Sequence, residues 1–198
     1  MKIPIYQVDA FTDHVFGGNP AAVCPLKEWL DNEIMQKIAE ENNLSETAFF
    51  VPKNDHFEIR WFTPKVEINL AGHPTLATAW VINTAFHYQT ATNTFESALS
   101  GELIVKKENN IISMNFPSNK PSLINKDELL IRALGQEPIE VLNSRDLLVV
   151  FRNQSEIENI KPDFSLLEKV DAFGVIVTAP GEKCDFVSRF FAPRAGVN

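Results

Sequence analysis

Two short stretches hold the residue types that acid–base chemistry needs. In NLSETAFF (43–50) a single carboxylate, Glu46, stands between Ser45 and the apolar run of Thr47, Ala48, Phe49, Phe50 and Val51. A carboxylate at the edge of a buried strand is partly stripped of water. That raises its pKa toward the range of a general base working near neutral pH. Ser45 and Thr47 can orient it. The same residues also read as an exposed turn glutamate beside a serine. The second stretch is Gly72-His73-Pro74, at the head of the charge-free run PTLATAWVINTAF (74–86). A helix starting here offers free N–H groups and a partial positive charge. With Gly72 allowing close approach, that end can bind a carboxylate or steady an enolate. His73 can donate a hydrogen bond or relay a proton. A purely structural histidine at a helix start is the alternative.

Other polar residues are less specific. Asn19, in GGNP (17–20), faces a ligand or belongs to a glycine turn. Asn69 precedes the helix start, where its amide either binds a polar substrate or caps a turn. Cys24 lies in an apolar strand and reads as core. GxSxG is missing, so a Ser45–His73 hydrolase has little support. GxGxxG and GxxxxGK[ST] are missing too, which removes the dinucleotide and P-loop signatures. No histidine pair has metal-ligand spacing.

These residues must be positioned by the elements around them. Strands are predicted at 3–10, 21–26, 47–52, 57–64, 102–107 and 111–117, the last two forming a hairpin around Asn109 and Asn110. In 57–64, Ile59 and Trp61 share one face and Arg60 and Phe62 the other. A helix over 31–42 carries Ile34, Met35, Ile38 and Ala39 at helical spacing, with Asp31 as N-cap. The run 74–86 predicts a helix apolar on nearly every side, hence buried, with Pro74 in its first turn. The polar, proline-containing segment 118–128 marks a domain junction. Beyond it come helices at 126–134 and 163–170 and strands at 146–151, 174–179 and 186–192. The class is α+β, in two domains, 1–117 with central helix 74–86 and 118–198.

The chain has 198 residues, 44% hydrophobic and 22% charged, with a net charge of −8. That composition is ordinary for a globular protein with a sizeable core. An acidic chain without a basic cluster argues against nucleic acid or an anionic membrane as partner. The two cysteines, Cys24 and Cys184, lie far apart without CxxC spacing, so neither a disulfide scaffold nor a zinc site is expected. A reducing cytoplasm is the default. The N-terminus has no apolar stretch of a signal peptide, and no run is long enough for a membrane span.

One internal echo links the halves. FEIRWFTP (57–64) and FVSRFFAP (186–193) share Phe, Arg, Phe and Pro at the same places. Each ends a strand at a proline, and the pair reads as a duplicated unit. Gly72 and His73 follow Pro64 closely, whereas the same count from Pro193 runs past Asn198.

Taken together, VDAFTDHVFGGNPAAV (8–23), NLSETAFF (43–50), RWFTPKVEINLAGHPTLATAW (60–80) and DFVSRFFAP (185–193) resemble the PhzF family of phenazine-biosynthesis-like isomerases over essentially the whole chain. The resemblance implies a diaminopimelate-epimerase-like fold, in which two similar domains each wrap a curved mixed sheet round a central helix. It implies an active site in the cleft between them, no cofactor, no metal, and a homodimer. It assigns Glu46 as the catalytic acid/base and places His73, beside Gly72, in the site. Asn19, Ser45, Asn69 and Gly72 are expected to bind a small carboxylated metabolite, and the reaction implied is a proton-shift isomerisation. Two departures stand out. Many relatives carry cysteine where this chain has Ala71, and a segment resembling E-D-P-V-T-G-S-A-H with a second central helix has no match here. The second domain is therefore expected to be incomplete, with one sheet face uncovered. The competing expectation is a catalytically inactive, truncated relative that binds a small molecule or a protein. An epimerase using two facing cysteines is disfavoured, because neither Cys24 nor Cys184 stands in such a motif.

Overall fold

The computed structural model describes every residue except Met1, Gln89, Asn110, Pro117 and Asn198. The chain divides into two compact units, residues 1–117 and 118–198.

In the first unit, β1 (Tyr6–Ala10), β2 (Asn19–Pro25), β3 (Glu46–Pro52), β4 (Phe57–Phe62), β6 (Thr92–Ser97), β7 (Gly101–Glu108) and β8 (Ile111–Met114) form one sheet in that order. The short β5 (Glu67–Ile68) pairs with the end of β4. The β2–β3 and β4–β6 pairs are parallel and the others antiparallel. Helix α1 (Asn32–Asn42) makes the crossover from β2 to β3. It buries Met35 and Ala39 against Cys24, Phe49, Val51 and Phe62. The charge-free run forms α2 (Gly72–Ala85). This helix touches β1, β2 and β3, and also β8. Since β1 and β8 are opposite ends of the same sheet, the sheet must curl around the helix. Burying α2 leaves its threonine hydroxyls no water, so Thr75 and Thr78 donate back to the carbonyls of Ala71 and Pro74 at 2.6 and 2.7 Å.

In the second unit, β9 (Ser122–Ile124), β10 (Glu140–Asn143), β11 (Leu147–Val150), β12 (Val175–Pro180) and β13 (Phe186–Phe191) form a five-stranded sheet, order β13-β12-β11-β10-β9. Helices α3 (Glu128–Leu134), α4 (Gln154–Asn159) and α5 (Phe164–Leu167) bury Leu130, Leu134, Ile157 and Leu167 with Val141, Val149, Val177 and Phe191. The register places Leu123, Leu142, Leu148, Ile176 and Phe190 opposite one another in one row across the sheet. None of them is fully buried, and Leu123 is 67% exposed.

The echo between the halves is structural as well. β1-β2-β3-β4 pair antiparallel, parallel, antiparallel, and β10-β11-β12-β13 repeat that pattern. Thr47 pairs with Phe62 and Val175 with Phe191, which aligns the two copies in the register that the sequence echo gives. The shared arginine serves both. Arg60 lies 5.2 Å over Phe62 and reaches Asn32 at the start of α1. Arg189 lies 4.9 Å over Phe191 and donates to the carbonyls of Ile157 and Ile160 at the end of α4.

Several local expectations change. Asn19 and Pro20 are already strand, paired with Ala10 and Asp9, not turn. Asp31 holds the N-cap position of α1, but its side chain makes no capping hydrogen bond, and Ile34 is exposed on the outer face. Helix α2 starts at Gly72, ahead of Pro74, and Trp80 is 48% exposed, so one stripe of it is not buried. The segment 118–128 contains strand β9, because backbone pairing with β10 outweighs its polar composition. Strands β6 and β10 and helix α4 have no strong apolar period and were not expected. Strand β8 stops at Met114. The proposed turn residue Asn110 and the strand end at Pro117 lie outside the described residues.

Candidate functional site

Glu46 is placed by what precedes it. Helix α1 ends at Asn43, whose left-handed backbone (φ 50°) turns the chain and returns its N–H to the Ala39 carbonyl. Asn42 then donates to the Thr47 hydroxyl at 3.2 Å, tying the helix end to the strand start. Glu46 is thus the first residue of β3, paired with Ala21 of β2. Its side chain lies on the face that packs against α2.

The same parallel pairing brings β2 alongside. Ser45 donates to the Asn19 amide oxygen at 3.4 Å. From the other side, His73 enters as the second residue of α2. Its Nδ1 is 3.3 Å from the Asn19 amide nitrogen and its Nε2 is 3.5 Å from the Ser45 hydroxyl. The Glu46 carboxylate Oε2 lies 3.4 Å from His73 Nε2. That is within ion-pair reach, but the angles are not those of a hydrogen bond, and Oε2 is a buried oxygen with no hydrogen-bond partner among the described residues. Three stretches far apart in sequence thereby meet, contributing Asn19, the adjacent Ser45 and Glu46, and His73.

Burial acts on both titratable members. It pushes the Glu46 carboxyl up, with the Ser45 hydroxyl drawing it part of the way back. It pulls His73 down to about 4, against a smaller opposing effect from a hydrogen bond to the Pro20 carbonyl. Desolvation disfavours whichever form is charged, so it favours the acid form of Glu46 and the neutral form of His73. A neutral imidazole has one N–H. Donated to Pro20, it leaves the other nitrogen as an acceptor for Asn19 or Ser45.

The remaining expected residues are placed differently. Gly72 begins α2, and a Cβ there would meet the Phe116 ring at 3.4 Å. That is ordinary contact, so no close approach demands glycine. Asn69 is exposed, and its carbonyl accepts the Ser100 hydroxyl; it does not join the hydrogen-bonded group. Cys24 is core, as expected, with its thiol pushed up to about 12 by burial.

Two participants were missed. The Pro20 carbonyl could not be found from side-chain types. Phe11 could be suspected only as an aromatic residue just past a strand. Its ring is 6.5 Å from that of His73. A crevice of about 730 Å³ between β1, residues 11–15, the Leu76–Ala77–Trp80 side of α2 and β8 includes Phe11 in its lining. Among the described residues no helix is long and apolar enough to cross a membrane.

The family model described as phenazine biosynthesis-like protein, PhzC-PhzF, matches residues 8–198. An uncharacterized isomerase of Pseudomonas aeruginosa is 48% identical over 198 residues, covering all of this chain and 76% of that protein. The crystal structure of a PhzF-family phenazine biosynthesis protein from Enterococcus faecalis superposes with a TM-score of 0.90 at 45% identity, covering 100% of this chain and 76% of that one. A probable proline racemase from Agrobacterium radiobacter matches with a TM-score of 0.61 at 8% identity, over 96% of this chain and 71% of that one. That likeness concerns the fold alone, which is of the epimerase–racemase type.

Proposed function

The chain belongs to the PhzC-PhzF family of phenazine biosynthesis-like isomerases, and on that premise we propose that it shifts a proton between two carbons of a small carboxylated metabolite, with Glu46 as acid/base. The observation that carries the reading is the buried, unpartnered Oε2 of Glu46 beside a neutral His73. A carboxyl oxygen left without a hydrogen bond in a desolvated place costs stability, and functional sites are where such costs persist.

In this reading the Glu46 carboxylate removes a proton from a substrate carbon. The C–H bond breaks, an O–H bond forms, and the electron pair stays on the substrate, delocalised toward its carboxylate. The first N–H groups of α2, at Gly72 and His73, favour that negative charge. Glu46 then returns the proton to a different carbon, and the double bond moves. His73 relays or steadies the proton, Asn19 and Ser45 hold the imidazole and the substrate, and Asn69 and Gly72 line the substrate. The side chains carry the chemistry without a cofactor, and the protein acts as a homodimer, which sedimentation equilibrium tests.

Deuterium incorporation from D2O into small unsaturated carboxylates, followed by NMR, tests the assignment. Glu46→Gln is expected to slow exchange by about 10²–10⁴-fold. Equal exchange in both proteins removes Glu46 from the reaction. A second reading, a non-catalytic binding module, draws support from the partly exposed apolar row Leu123–Leu142–Leu148–Ile176–Phe190. It predicts no exchange in either protein.

A further inference from the structure

We propose that Phe11 is a specificity-determining residue of this site, its ring forming a flat wall beside His73 that selects acids planar and conjugated next to the carboxylate. This rests on the proton-shift reading above. The β1–β2 ladder ends with Ala10 paired to Asn19. Phe11 is therefore the first residue beyond the ladder, next to the partner of His73. Its φ is 66°, in the left-handed region where a bulky side chain is an outlier. Phe11 is 73% exposed, yet its ring stands 6.5 Å from the His73 ring at an interplanar angle of 50°.

The surrounding loop enforces that placement. The Phe16 N–H donates to the Asp9 carboxylate at 3.0 Å and the His14 N–H to the Thr12 hydroxyl at 3.3 Å. Gly18, at φ 62°, passes so close to the strand that a Cβ would lie 2.0 Å from the Ala10 carbonyl oxygen. A strained backbone holding a large apolar ring out in water, against the functional cluster, is hard to explain by packing alone. The chemistry supplies the reason. Removing a proton beside a carboxylate flattens the carbon skeleton, because the electron pair delocalises. A flat ring makes full dispersion contact with a planar conjugated chain, keeps water from it, and fits a puckered saturated chain poorly.

Sorbate and hexanoate, acids of equal chain length, serve as probes, with affinities measured by ligand-observed NMR titration. The wild type is expected to bind sorbate about 2–10-fold more tightly, the range of an aromatic contact. Phe11→Ala should bring the ratio to about one, and Phe11→Tyr should keep it. An unchanged ratio in Phe11→Ala overturns the proposal, as does a wild type that binds neither acid or prefers neither. Failure of the proton-shift reading would show separately, as deuterium exchange unaffected by Glu46→Gln.

Discussion

The Glu46 carboxylate and the His73 imidazole approach to 3.4 Å while the same burial pushes each toward its uncharged form. An ordinary surface pair of these types would attract as ions. Here desolvation outweighs the attraction, and burial favours the uncharged form of each.

That balance has a consequence for stability against pH. His73 titrates at about 4 when folded, against 6.5 for the free side chain. Between those values the unfolded chain holds a proton that the folded chain does not, so stability falls as pH drops from 6.5 toward 4. At about 1.4 kcal/mol per unit, the loss is on the order of 3 kcal/mol. Glu46 acts with the opposite sign. Its folded pKa is raised above 4.5, so its contribution is present below pH 4.5 and is lost as pH rises through the folded value. His73→Gln removes the first effect and leaves the second. Urea unfolding across this range should show a shallower acid-side loss in the variant, and superimposable profiles would refute the shift.

Gly18 should be intolerant of substitution. Its left-handed φ of 62° and the 2.0 Å approach of any Cβ to the Ala10 carbonyl combine strain with a backbone clash. Gly18→Ala is expected to cost at least about 2 kcal/mol, read from the urea midpoint. By contrast, Gly101→Ala carries a left-handed φ of 72° but meets nothing within 4 Å among the described residues, so its cost should be about half as large or less.

Arg189 should matter to the second unit alone. Its guanidinium satisfies the carbonyls of Ile157 and Ile160 at 3.2 and 2.7 Å and covers Phe191. Arg189→Met keeps much of the apolar stem but leaves both carbonyls without that donor, at a cost of about 1–3 kcal/mol. Hydrogen exchange should quicken at α4 and β13 and stay unchanged at α2. Equal protection of α4 in the variant would mean that the arginine does not hold that helix.

The two thiols should separate cleanly. Cys184 is exposed, while Cys24 is buried with its thiol pushed up to about 12. Since the thiolate is the reactive form, a disulfide reagent should modify one cysteine rapidly in the native protein and the second only on unfolding. Fast labelling of both would show that the β2–α1 core opens readily.

Much of the fold was legible because it is written in local pattern. The charge-free run after Gly72-His73 reads as a largely buried helix, and the apolar run after Glu46 reads as a strand. The paired arginines of the echo marked equivalent strands, and the motif set pointed to the family. Asn69 and Gly72 were suggested by residue type alone; their surroundings, an exposed Asn69 whose carbonyl accepts the Ser100 hydroxyl and a Gly72 whose added Cβ would meet Phe116, come from the structure.

Hydrophobic period and turn chemistry act over a few neighbours, so the residues able to do chemistry and the elements that carry them can be read from the chain. That Asn19 comes within 3.3 Å of His73 and that the Phe11 ring lies 6.5 Å from it emerge only from the folded chain. Those outcomes depend on the parallel register of β2 and β3 and on the curl of one sheet around α2. The distances and the loss of water that set the Glu46 and His73 titrations arise only when strands distant in sequence close around them.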